Sequence, residues 1–251
     1  MTDRRTSAGS DPLAWSQAQM SDATAFVDHL VEGADDDCLE APSRLPGWRR
    51  GHVLSHLARN ADALSNLLTW ARTGVETPMY ESAARRDGDI ELGARRPAAA
   101  ILADYHDANG RLGRSLGSLP ASAWEATVST NSGRSIEIRE LPWLRARELW
   151  MHAIDLDLGP GFADLPDATC TALVGFVTEN LTAQPACPIL RLEPDDGAPA
   201  IDLGPPNGRG VPAKTVQGSE AELLGWASGR SDGAALTVLP EGPLPELPTW
   251  L

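Results

Sequence analysis

The chain has 251 residues, 42% of them hydrophobic and 22% charged. That is apolar material enough for one large domain or two modest ones, and it argues against disorder. The formal net charge of −14 argues against a nucleic-acid or anionic-membrane partner, because phosphate binding needs clustered basic charge.

Residues 1–11 are polar and read as a frayed start. From Pro12 to Val31 the pattern LAWSQAQMSDATAFVDHLV places Trp15, Ala18, Met20, Phe26 and Leu30 at helical spacing. DDDCLEAPSRLPG reads as a loop, acidic and then Pro-rich. RRGHVLSHLARNADALSNLLTWARTG is a long helix whose buried stripe is Val53, Leu57, Leu64, Leu67, Leu68 and Ala71, with Gly74 as its stop. MYESAARRDGDIELG reads as a polar connection. A further helix begins near Pro97, a residue suited to a first helical turn. TVSTNSGRSIEI is a short hairpin or extended loop, and a helix from Leu141 to Leu158 is closed by Gly159 and Pro160. Four long helices predict a four-helix bundle over residues 12–160.

The composition changes after Pro160. ATCTALVGFVTENLTA is one more helix. The runs ILRLEP, AIDLG, AKTVQG and ALTVLP, separated by Gly, Pro, Asp and Asn, read as strands, with a short helix in EAELLGWASGR. A smaller domain over residues 164–251 is predicted, making the fold class α+β. The tail PELPTWL is too Pro-rich for a regular element, although Trp250 and Leu251 could dock it.

There are five histidines. His52 and His56 stand four apart on one predicted helix, and Glu148 and His152 stand four apart on another, so each pair shares a helix face. Bundles build metal sites from inward-facing residues on facing helices, and zinc favours imidazole nitrogen and carboxylate oxygen. Each pair also has a structural reading, in which His52 caps its helix and His56 is a hydrogen-bonded core residue. HVLSH lacks the general-base Glu of a HExxH protease. Arg85, Arg86 and Arg230 lie in loop-like segments where a planar guanidinium suits a carboxylate, or are plain surface residues. No phosphate-binding glycine loop and no GxSxG elbow is present. Cys38 sits among acidic residues that disfavour a thiolate. Cys38, Cys170 and Cys187 are far apart, with no CxxC pair, and imply free thiols in a reducing compartment. No stretch approaches the roughly 18 apolar residues of a membrane span, and the N-terminus lacks an apolar signal core. The expectation is a soluble, cytoplasmic protein. A monomer is expected, as no heptad seam appears.

Three stretches, LPGWRRGHVLSHLARNADALSNLLTWARTGVETPMY, RELWMHAIDLDLG and the closing PELPTWL, resemble the mycothiol-dependent maleylpyruvate isomerases of actinobacteria. The resemblance runs through both domains. It implies a DinB-like bundle carrying a divalent metal, usually zinc, and a C-terminal α/β domain reminiscent of sterol carrier proteins. Carried over residue by residue, it makes His56, Glu148 and His152 the metal ligands and leaves His52 out. It makes Arg86 and Arg230 the catalytic arginines, and every matched position holds the required residue.

The implied reaction is isomerisation of maleylpyruvate to fumarylpyruvate in gentisate breakdown. A double bond does not rotate at ambient temperature, so a nucleophile must add and later leave. No protein nucleophile stands out, and mycothiol would serve, held as thiolate at the metal. The partners implied are therefore mycothiol and a small dicarboxylate. Two alternatives remain: a mycothiol S-transferase that detoxifies electrophiles, and a non-enzymatic metal-dependent binding module. Two imidazoles and a carboxylate also suit divalent ions other than zinc.

Overall fold

In the computed structural model, which describes residues 11–205 and 210–249, the chain divides into two units, Asp11–Gly159 and the residues from Pro160 onward. The first unit holds α1 (Pro12–Leu30), α2 (Asp36–Glu40), α3 (Arg50–Thr73), α4 (Ala83–Ala94), α5 (Ala98–Gly117), a hairpin of β1 (Thr127–Ser129) and β2 (Ser135–Glu137), and α6 (Leu141–Asp155). The four long helices α1, α3, α5 and α6 form the bundle, with α3 against α5 and α6, and α1 against α6.

Capping sets several of these boundaries. Asp11 caps α1 through the Leu13 amide, with Pro12 at the first helical position. Gly74 ends α3 with φ of 71° and returns its amide to the Trp70 carbonyl, a left-handed termination that glycine adopts without strain.

Two expected loops contain helices. The acidic segment forms α2, nucleated by Asp35 accepting from the Cys38 amide. The polar connection contains α4, capped by Ser82 accepting from the Arg85 amide. Its buried face is only Ile90, Gly93 and Ala94, too few apolar positions to raise a helical period. A Cβ at Gly93 would lie 2.8 Å from Ser55 Oγ on α3, so glycine is what lets α4 approach so closely. The buried stripe of α1 also differs from the expected one. Ser16, Gln19, Ala23 and Val27 face inward while Ala18 is exposed. Trp15 and Phe26 instead flank the seam, stacking on Trp143 and Trp150 at 5.1 and 5.2 Å.

The seam between α3 and α6 carries the polar anchors. Arg50, at the start of α3, donates to the carbonyls of Leu156 and Asp157 at 2.7 Å each, satisfying groups that the end of α6 leaves open. Arg145 is 0% exposed. It donates to the Leu57 carbonyl, to Asn60 Oδ1 and, on α5, to Asn109 Oδ1, at 2.9, 2.8 and 2.7 Å.

The second unit contains α7 (Asp167–Thr182), β3 (Leu190–Pro194), β4 (Ile201–Leu203), β5 (Thr215–Gly218), α8 (Glu220–Ala227) and β6 (Thr237–Leu239). The sheet order is β4-β3-β5-β6, with β3–β5 parallel and both outer pairs antiparallel. Alternation buries Leu190 and Leu192 on β3 and Val216 on β5, and α8 packs against both strands and against α7. Ser219 and Glu222 form a capping box at the start of α8. The α+β class holds. The tail to residue 249 has no helix or strand, and Trp250, Leu251 and residues 1–10 lie outside the described residues.

Replacing Arg145 by Ala is expected to strip a donor from two buried acceptors and one part-buried acceptor, each buried loss costing about 1–3 kcal/mol. Urea denaturation should show a stability loss of about 3 kcal/mol or more, and a loss below about 1 kcal/mol would contradict the anchoring role.

Candidate metal centre

The antiparallel run of α3 against α6 brings His56 of one i, i+4 pair opposite both members of the other. Arg50 meets Leu156, His56 meets Glu148, and Asn60 meets Arg145, so the order descends along one helix as it rises along the other. His56 Nε2 is 3.1 Å from Glu148 Oε2, and His152 Nε2 is 3.7 Å from that same oxygen. The two imidazoles stand edge to face with centroids 4.6 Å apart. One donor atom from each of His56, Glu148 and His152 falls within 4.8 Å of the others, so the three could hold a metal ion.

The donor set fits a divalent cation. Two neutral imidazoles and one carboxylate are the ligands that zinc and similar ions accept, and three protein ligands leave a position for an exchangeable group. The surroundings fit as well. His152 Nδ1 lies 2.9 Å from Asp155 Oδ2, and Asp155 is 0% exposed. The Asp155 carboxylate accepts a hydrogen bond from Nδ1–H and so orients the ring with Nε2 facing Glu148, the way a second carboxylate orients a metal-binding histidine.

The site also tunes its own protonation. Burial pulls His56 down from 6.5 to about 4, assisted by the His152 and Arg86 charges and opposed by Glu148. Burial pulls His152 the same way, but Asp155 and Glu148 outweigh it and hold that imidazole above its ordinary value. Burial pushes Glu148 up, yet its contacts with His152 and His56 win and leave it well below the usual carboxylate range.

Each other histidine of interest has a different task. His52 Nδ1 accepts from the Arg49 amide at 3.2 Å, and Nε2 contacts Glu91 Oε2 at 3.1 Å. Both ring nitrogens are thus engaged in starting α3 and tying it to α4, outside the cluster. The turn Leu45-Pro46-Gly47-Trp48 explains the entry. Trp48 donates its amide to the Leu45 carbonyl at 3.0 Å, and Gly47 has φ of 78°, the positive value a type II turn requires after proline. The turn sets Trp48 as a wall, 5.8 Å from the His56 ring.

The arginines separate in the same way. Arg85 is paired with Asp89 on the surface of α4. Arg86 is half-buried, 3.3 Å through Nη2 from His56 Nδ1, and bonded to Asp87 through Nη1 at 2.8 Å. Arg230 lies in the second unit just after α8, where Nη1 donates to the Ser228 carbonyl at 3.0 Å. Tyr80 also joins the bundle cluster: the Arg86 guanidinium carbon is 5.8 Å from its ring centroid. Asp155, Tyr80 and Arg145 were not singled out by the sequence reading. An Asp three residues after a predicted helical ligand was the available signal for Asp155.

A family model described as the mycothiol maleylpyruvate isomerase N-terminal domain matches residues 20–157, the span that supplies every residue of this cluster. The chain belongs to that family. Two crystal structures extend the likeness over the full length. The mycothiol-dependent maleylpyruvate isomerase matches at 31% identity with a TM-score of 0.89, covering 100% of each chain. A histidine-to-alanine mutant of mycothiol-dependent maleylpyruvate isomerase matches at 30% identity with the same TM-score and coverage. No curated protein sequence matches the chain. Among the described residues, no helix is long and apolar enough to cross a membrane.

Two predictions follow from the donor chemistry. His56→Ala is expected to abolish stoichiometric metal binding, His52→Ala to retain it, and Asp155→Asn to weaken it by about 10–100-fold, as read by competition with a chromophoric chelator. The second concerns pH, because ligands shed protons to coordinate. His152 alone retains a proton above 6.5, while His56 stays neutral down to about 4. Apparent affinity should fall about tenfold per unit below pH 6.5 and steepen only near pH 4. A slope of two protons directly below 6.5 would contradict the assignment.

Proposed function

We propose that the protein is a mycothiol-dependent isomerase that converts maleylpyruvate to fumarylpyruvate, with zinc held by His56, Glu148 and His152. The observation that carries this reading is the convergence of those three donors beside Arg86, in a chain whose full-length structural relatives are named for that reaction. When bound, the metal supplies a positive centre with an exchangeable position at which a thiol is held as thiolate near neutral pH.

The chain's own residues orient and bind. Asp155 keeps the His152 proton on Nδ1. Neutral His56 has a single ring proton, and in the arrangement described its Nδ1 accepts from Arg86 while Nε2 donates to Glu148. Were His56 to hold a metal through Nε2, its proton would sit on Nδ1, and Arg86 would then be able to take a substrate carboxylate, which its planar fork matches. Arg230 is proposed to hold the other carboxylate. Substrate and thiol are the proposed partners, with no nucleic acid or membrane involved, and the chain is proposed to act as a monomer.

The same site chemistry favours one other reading, mycothiol S-transfer to an electrophile, and thiol accounting separates the two. An isomerase is expected to convert the cis substrate only when mycothiol is present and to return the thiol unconsumed. Stoichiometric thiol loss without the trans product would move the assignment to the transferase. Arg86→Ala should lower kcat/KM by about 10–100-fold, the scale of a lost charged hydrogen bond of about 1.5–3 kcal/mol.

A further inference from the structure

Addition of a thiol to a conjugated alkene moves an electron pair onto the neighbouring carbonyl oxygen. That oxygen gains charge only as the new bond forms, so a donor aimed at it accelerates the reaction more than it tightens substrate binding. His56, Glu148 and His152 are committed to the metal, and Arg86 to a carboxylate. Asp155 is taken up by His152, and Tyr80 is a further polar side chain that the structure brings beside this cluster.

Several observations place the Tyr80 side chain beside the cluster. Tyr80 is half-buried, and the charged groups acting on it are Arg86, Glu148 and Arg145, all of which belong to the metal cluster or its support. Arg86 bridges the two, through its face-on approach to the Tyr80 ring at 5.8 Å and its 3.3 Å contact with His56. An arginine only donates, so where Arg86 meets the phenol oxygen that oxygen accepts, and the O–H remains a donor. The segment is pinned. Asn66 on α3 donates to the carbonyls of Pro78 and Met79 at 3.3 Å each, and the Asn131 amide meets Met79 Sδ at 3.3 Å. A phenol whose preceding backbone is held by α3 meets the requirement that a catalytic donor be set in place beforehand.

We propose that the Tyr80 hydroxyl donates a hydrogen bond to the carbonyl oxygen of the substrate as that oxygen becomes an enolate, which makes Tyr80 a catalytic residue of this site. The inference rests on the isomerase reading. The thiolate of a low-molecular-weight thiol bonds through sulfur to one alkene carbon while the π pair moves to the neighbouring carbonyl oxygen. Rotation occurs about the resulting single bond. The pair then returns, the carbon–sulfur bond breaks and the thiolate departs, with no net gain or loss of protons or electrons.

Tyr80→Phe isolates the hydroxyl, because phenylalanine keeps the ring beneath Arg86. In the zinc-loaded full chain this variant is expected to retain one metal per chain and a KM within about threefold of the parent. Its kcat should fall about 100-fold, the lower end of what removing one oxyanion donor costs. An unchanged kcat, a change confined to KM, or loss of the metal would each overturn the proposal, the last two by assigning Tyr80 to substrate binding or structure. The parent is also assayed for mycothiol addition to an α,β-unsaturated ketone, which develops the same oxyanion. If the parent catalyses only that addition, the isomerase reading fails while the Phe comparison still tests the phenol, and a parent inert in both reactions overturns both.

Discussion

The site depends on the register between α3 and α6. Two arginines hold it: Arg50, bonded to the carbonyls that end α6, and Arg145, bonded to a carbonyl and an amide oxygen of α3. His56 and Glu148 lie between these anchors, 3.1 Å apart. One residue of slip rotates a helix face by about 100° and would remove a donor from the cluster. Burying Arg145 on neutral oxygens has a desolvation cost, and the nearby Glu148 charge offsets part of it. The anchor therefore also sets the electrostatics of the ligand it positions.

That arrangement gives the site a character unlike the chain as a whole. The protein carries a net charge of −14, yet the charge of buried Arg145 acts together with that of Glu148, and Arg86 lies 3.3 Å from His56. A divalent ion added there would make the site locally more positive, which is the character that the proposed thiolate and dicarboxylate ligands require. In the proposed reaction, the donor-only Arg86 guanidinium would favour negative charge that develops on the ligand, while the ionised Glu148 serves to hold the metal.

Much of this was legible from spacing. Long apolar periods revealed α3, α5 and α6, and alternation bounded by glycine and proline revealed the strands of the second unit. The i, i+4 pairs placed His52 with His56 and Glu148 with His152, and the family resemblance chose among them. Periodicity could not find α2 and α4, since a short helix capped by Asp35 or Ser82 with few buried positions has almost no apolar stripe. It also misjudged α1, where Ser16 and Ala23 are among the residues that face inward. Tertiary contacts alone give Arg145 and Tyr80 their meaning. A guanidinium in RARELWMH looks like surface until Asn60 and Asn109 are seen to receive it.

The most direct test of the central claim is X-ray absorption at the metal edge of the stoichiometrically loaded full chain, with anomalous diffraction to locate the ion. The account predicts one ion per chain, with two imidazole nitrogens and a carboxylate oxygen as protein ligands, positioned between α3 and α6. A sulfur from Cys38, Cys170 or Cys187 among the protein ligands, an ion centred on His52 and Glu91, or substoichiometric binding would contradict it.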